Sequence, residues 1–161
     1  MSNFAVERFA TLSDMKNLFV IFFLAVFFGA CSERDVQDRE AAGKCAVEFM
    51  EKFFSFKFPE AELLCTSDTR DWVVWYVSNI TETDIDSIHR IPNSPKVELQ
   101  SVVPDSTDTT AVAYCKARDF YCLDSLGQHG RMIDEAVFRL SLVRECGEWR
   151  VRMEGPLQSE R

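Results

Sequence analysis

Six cysteines carry most of the reactive chemistry in this chain, and Cys31 stands apart from the other five. It directly follows Gly29-Ala30, and that pair closes an unbroken apolar run from Leu18 to Phe28. Lys16 places one positive charge just ahead of the run. Positive start, apolar middle and small residues before a cut are the order of an export signal. The run falls well short of the about 20 apolar residues that a bilayer-spanning helix needs. Charges resume at once with Glu33, Arg34 and Asp35. The remaining thiols, Cys45, Cys65, Cys115, Cys122 and Cys146, are candidates for disulfides, which an exported protein is free to form. Their number is odd, so at least one stays outside any intrachain bridge, and sequence leaves the pairing open. No pair has the C-x-x-C spacing of a redox motif or a zinc knuckle. His89 and His129 are the only histidines, and their spacing gives no metal site. No metal or cofactor is therefore expected.

The Gly-Ala-Cys ending of the apolar run resembles a bacterial lipobox, with Phe28 where that motif more often has Leu. The resemblance implies that the Cys31 sulfur receives a diacylglycerol, that the chain is cut before it, and that the new amino terminus is acylated. Several acyl chains on one residue hold a protein stably on a membrane, where a single chain would not. Ser32 stands where some lipoproteins carry the Asp that retains them at the inner membrane. The expected location is thus the bacterial envelope, anchored to the outer membrane and facing the periplasm or the cell surface. The expected layout has residues 1–14 upstream of a true start at Met15, and a signal peptide over 15–30. The lipidated Cys31 and a charged tether then cover 31–41, one domain 42–155, and a tail 156–161.

The elements that must position any further chemistry follow from periodicity. Ala42, Cys45, Ala46, Phe49, Met50 and Phe53 fall on one face of a helix, with Glu40–Lys44 and Glu48–Lys52 spaced as i, i+4 ion pairs. Pro59 to Cys65 reads as a short second helix. A third helix begins after Thr66-Ser67-Asp68 and carries Trp72, Val73, Trp75 and Tyr76. Thr83 to Ile88 adds one more helical turn, with Thr83 as its expected cap. After Ile91 to Pro95 the period changes to two, with strands expected over 96–103, 109–118, 134–145 and 148–154. The expected inward residues are Val97, Leu99 and Ser101, then Ala111, Ala113, Cys115 and Ala117. Phe138, Leu140 and Leu142, and Trp149, Val151 and Met153, follow on the last two strands. Asp119 to Arg131 reads as a long loop. Short connections make the sheet antiparallel, and helices followed by such a sheet define an α+β fold with the helices packed on a curved sheet.

Charge narrows the partners. The formal net charge is −8, which disfavours nucleic acid and anionic headgroups. Asn79-Ile80-Thr81 matches a glycosylation sequon with no expected use in a bacterial lipoprotein.

One long amphipathic helix, short helices with a Trp pair, and a closing Gly-Glu-Trp-Arg-Val strand resemble the NTF2-like (cystatin-like) superfamily. Over 42–154, at Phe49, Phe53, Ala61, Leu64, Trp149 and Val151, the chain is similar to small NTF2-like lipoproteins of unknown function. The resemblance implies a cone-shaped sheet wrapped on the long helix, with a mouth able to hold a small apolar ligand. Residues expected to line such a pocket are Trp72, Trp75, Tyr76, Phe138 and Trp149. An enzymatic member, of the ketosteroid isomerase type or a dehydratase, would need an acid or base with an oxyanion donor. Tyr76, Tyr114, Asp119 and Tyr121 are the candidates, with Tyr114 phased to the outside. No catalytic residue is assigned, and the expected role is non-enzymatic binding of a small apolar ligand or an envelope protein. A filled cone would instead point to a partner-binding or dimerising surface near Val112, Tyr114 and Val143, and a homodimer is implied by the family.

Overall fold

The computed structural model describes residues 33–105, 107, 109–123 and 129–160. The chain divides into two compact units, Met1–Asp38 and Arg39–Arg161. In the first, the described residues 33–38 are helical. Part of the expected tether is therefore helical. The signal segment and Cys31 lie outside the described residues. No helix among the described residues is long and apolar enough to cross a membrane.

The second unit begins with helix α1, residues 39–54, whose expected apolar face is buried at every position. Phe49 and Phe53 are almost fully buried, each contributing about 1.5–3 kcal/mol by removal from water. The expected Glu48–Lys52 pair gives way to an ion pair between Lys52 and Glu60. The helix ends at Phe56, which takes a left-handed φ of 60°. Lys57 N–H then bonds back to Lys52 O and Phe56 N–H to Phe53 O. This is the terminating motif that glycine normally supplies, and here a phenyl ring supplies it, packed edge-on against Phe58.

Helix α2 spans Phe58–Glu62 with Pro59 in its first turn, and α3 spans Ser67–Ser78. Helix α4 spans Glu82–His89, and its cap differs from the expected one. Thr81, not Thr83, opens the helix, and Asp84, not Asp86, closes the reciprocal capping box. Both pairs have the same spacing. Asp84 wins because it is also the one acid of the segment that is buried.

Four strands follow as an antiparallel meander in the order β1-β2-β3-β4. They are β1 Lys96–Pro104, β2 Thr110–Cys122, β3 Arg131–Glu145 and β4 Glu148–Arg152. The inward row Ala111, Ala113, Cys115 and Ala117 is buried, as are Phe138, Leu140, Leu142 and Val151. Two departures have local causes. The β1–β2 register shifts between Leu99 and Ser101, so Val102 and not Ser101 packs on the core, and Leu99 is left 42% exposed. At Gly43 of α1 a side chain would meet Leu99 and Val102, so the helix lies close over β1 there. The second departure is Asp119, whose φ is 55°. A left-handed residue breaks the in-out alternation of a strand, and Asp tolerates that conformation better than most. β2 therefore continues to Cys122 where a loop was expected, with Asp119 exposed and Phe120 and Tyr121 both buried.

Cys146 and Gly147 both have positive φ, at 52° and 88°, and form the two-residue turn between β3 and β4. The free edge of β4 is covered by the α2–α3 junction. Val151 N–H bonds to Leu64 O, Thr66 N–H to Val151 O, and Met153 N–H to the buried Thr69 hydroxyl. Short of the end of the chain, Ser159 pairs with Phe138, so the tail expected over 156–161 is partly ordered on β3.

Candidate functional site

The inner face of the sheet is occupied by side chains. Phe54 stacks on Phe120 and Phe138 with ring centroids 4.4 and 5.1 Å apart. Phe53 touches Phe49, Phe58 and Tyr76 at 4.7–5.6 Å. The small residues of β2 admit these rings. The five residues expected to wall a ligand pocket pack, among the described residues, as follows. Phe138 sits among phenyl rings, Tyr76 lies against Phe53 and Phe58, and Trp72 packs edge-on to Trp75 on the half-buried side of α3. Trp149 is half-buried, and its indole nitrogen is enclosed without an acceptor among the described residues.

One of the four expected acid–base candidates, Tyr121, meets a carboxylate that sequence reading passed over. Asp84 is fully buried. Its Oδ2 accepts from Thr81 N–H at 2.9 Å and from the Thr81 hydroxyl at 2.6 Å. Its Oδ1 accepts from the Tyr121 hydroxyl at 2.8 Å and from Gly130 N–H at 2.9 Å. Burial alone would raise this carboxyl's pKa, but the bonds from Thr81, Gly130 and Tyr121 outweigh it and hold the group well below the usual carboxylate range. Burial and the neighbouring Asp84 push the Tyr121 phenol up. Tyr76 adds a contact by accepting from Leu123 N–H at 3.2 Å. A side chain at Gly130 would collide with the Tyr121 ring and with Cys122 O, so only glycine fits. A general base needs a raised pKa and an open lone pair. Asp84 has neither, and the cluster is a knot tying α4 to the ends of β2 and β3. The signal in the sequence was the capping spacing of Thr81 and Asp84. Its link to Tyr121 crosses 37 residues and leaves no local pattern.

Asp119 is exposed and Tyr114 is half-buried on the outer face, as its phasing implied. His89 and His129 are exposed. Among the described residues no group of His, Cys, Asp or Glu could hold a metal ion.

The disulfides expected among the five cysteines are not formed. Cys45 donates to Trp149 O at 3.1 Å and Cys65 to Ala61 O at 3.3 Å, so both thiols are used as weak donors to backbone carbonyls. Burial pushes the Cys45 and Cys115 thiols up to about 11 and the Cys65 thiol up to about 12. Thiols held in that form are poor nucleophiles. Cys122 is half-buried and Cys146 is exposed.

The outer face of the sheet has a different character. Strand register sets Ser101, Tyr114 and Arg139 in one row, and Val103, Val112, Ser141 and Arg152 in the next. Thr110, Val143 and Arg150 form the row beyond. Val103 is 53% exposed, and Val112, Tyr114 and Val143 are half-buried. Toward the other end, Arg118 bridges Glu98 and Glu135 at 2.8 Å each and Lys116 bonds Glu135 at 2.9 Å. Two open grooves of about 400 and 350 Å³ flank Arg152 and share Ser141 and Glu154. None of the five residues expected to bind a ligand lines either groove.

Compared with known protein families, with curated proteins and with solved structures, the chain matches none.

Proposed function

We propose that this protein is a lipid-anchored envelope protein whose domain binds a protein partner, without catalysis, through the outer face of its sheet. The observation that carries this reading is the contrast between the two sides of the sheet. The inner side is filled by phenylalanine rings, while the described helices leave the valine and tyrosine rows of the outer side open. An apolar strip on a folded surface, rimmed by charge, is characteristic of interaction sites. The resemblance to NTF2-like lipoproteins supports the same reading, as does the lipobox-like Gly29-Ala30-Cys31. An isomerase or dehydratase is disfavoured because the one buried carboxylate among the described residues is saturated with donors.

A photo-crosslinking residue at Val112 in the full chain, expressed in a bacterium with an outer membrane, tests the face. The expected product is a discrete adduct from Val112 that is absent when the crosslinker replaces Glu48 on α1. Equal labelling from both positions, or from neither, overturns the reading. Cys31→Ala tests the anchor, with the protein expected to move from the membrane to the soluble fraction. Retention on the membrane removes the lipoprotein assignment.

A further inference from the structure

The outer face of the sheet carries charge opposite to that of the molecule. Lys96, Lys116, Arg118, Arg139, Arg150 and Arg152 project from it, against Glu98, Glu135, Glu145 and Glu148. This face is net basic in a chain whose net charge is −8. Three of its six cations are already engaged. Lys116 and Arg118 are tied to Glu135 and Glu98, and Arg150 bonds Glu148 and Leu63 O. Lys96, Arg139 and Arg152 differ, since all three are exposed and none of their side chains hydrogen-bonds or ion-pairs with another described residue, and of these Arg139 and Arg152 flank the valine row. Arg152 pairs with Ser141, two residues along β3 from Arg139, so the two guanidiniums stand diagonally on neighbouring strands. Tyr114 lies opposite Arg139 and Val112 opposite Ser141.

We propose that Arg139 and Arg152 receive the carboxylates of an acidic, extended segment of a partner protein whose alternate apolar side chains lie on Val112, Tyr114 and Val103. This rests on the partner-binding reading above and names the chemistry of that partner. A planar guanidinium matches a carboxylate through paired N–H bonds. A strand-like segment alternates its side chains every second residue, which fits charged and apolar positions lying side by side. A nucleic acid or an anionic bilayer surface has no alternating apolar side chains to set on the valine row, whereas a strand-like segment does.

The test uses the full chain in detergent and a fluorescent, end-capped peptide of about eight alternating Glu and Val residues, spanning a strand's usual length. Binding is read by anisotropy, with a Lys-Val peptide as the control. The Glu-Val peptide is expected to bind and the Lys-Val peptide not. R139E/R152E should weaken binding at least about tenfold, as should a rise to about 0.5 M salt. R139Q/R152Q should give an intermediate loss, and K44E on α1 no change. Since Arg139 and Arg152 are exposed, both double variants are expected to fold, which circular dichroism checks. No binding of the Glu-Val peptide, or binding that R139E/R152E leaves intact, overturns the proposal. So does capture by phosphatidylglycerol vesicles without peptide binding, which assigns the face to a lipid surface. A Val112 crosslink that survives R139E/R152E overturns the acidic-segment proposal while leaving the partner-binding face in place.

Discussion

The two faces of the sheet are built from the same strands and differ by one residue of phase. Along β2, Ala111, Ala113, Cys115 and Ala117 point to the helices, and Val112, Tyr114, Lys116 and Arg118 point away. The inner residues are the smaller ones. Alanines on the covered face are economical because the volume comes from the facing helix, through Phe49, Phe53 and Phe54. The larger side chains sit where nothing described covers them. On β3 the order is the usual one, with Phe138, Leu140 and Leu142 inside and Arg139, Ser141 and Val143 outside. Substitution separates the two roles: inner changes should act on stability, and outer changes on binding.

The largest effect belongs inside. Phe53 is 1% exposed and touches four other rings. Phe53→Ala is expected to cost about 3–5 kcal/mol, measured by urea denaturation of the domain. A loss under about 1 kcal/mol would mean that the interior is looser than the ring contacts show. Ala113→Leu attacks the same packing from the sheet side. Overfilling should cost about 1–3 kcal/mol, and an unchanged midpoint would reveal a cavity large enough to reopen the case for an internal ligand.

Asp84 is the one fully buried charged group among the described residues, and the cost of its removal comes from unpaired donors. Asp84→Ala strands the Thr81 and Gly130 amides and the Tyr121 hydroxyl, at about 1–3 kcal/mol for each group left without a partner. Water entering the gap would reduce the sum, so a total of about 3 kcal/mol is expected. The sign with pH follows from a carboxyl whose folded pKa lies below its unfolded value of about 3.9. Its stabilisation is complete above that unfolded value and is lost as the pH falls through the folded one. The wild type should therefore lose stability below about pH 4 more steeply than Asp84→Ala. Parallel acid curves for the two would remove the knot from the account of folding.

Legibility in the sequence divided along the same line. The helical stripe from Ala42 to Phe53 and the alternation of β2 and β3 were readable because burial imposes a period. The shift at Leu99–Ser101, the left-handed Asp119 and the capping role of Thr81 were not, since each depends on contacts made across the fold. The candidate site was half legible. Tyr76 and Tyr121 stood out by type, but Asp84 did not, because its partners lie 37 and 46 residues away. Aromatic residues at helical spacing serve a core as well as a pocket, so their type alone does not separate the two roles. The unpaired Arg139 and Arg152 became visible only once register showed what stood beside them.

The smallest effect lies at the β3–β4 turn, which belongs to neither face and so gauges how far substitution there is free of both. Cys146 holds a left-handed φ of 52° with its thiol exposed, a conformation that costs a non-glycine residue up to about 1–2 kcal/mol. Asn tolerates it best among side chains, and Asn-Gly is the preferred pair for such a turn. Cys146→Asn is therefore expected to raise stability by a few tenths to about 1 kcal/mol, with peptide binding at the outer face unchanged. Before that substitution, Cys146 should be the first thiol labelled by a maleimide, while Cys45, Cys65 and Cys115 react only once the domain unfolds. If Cys146→Asn weakens peptide binding, the turn is part of the docking surface and the boundary between folding and function runs past the end of the sheet.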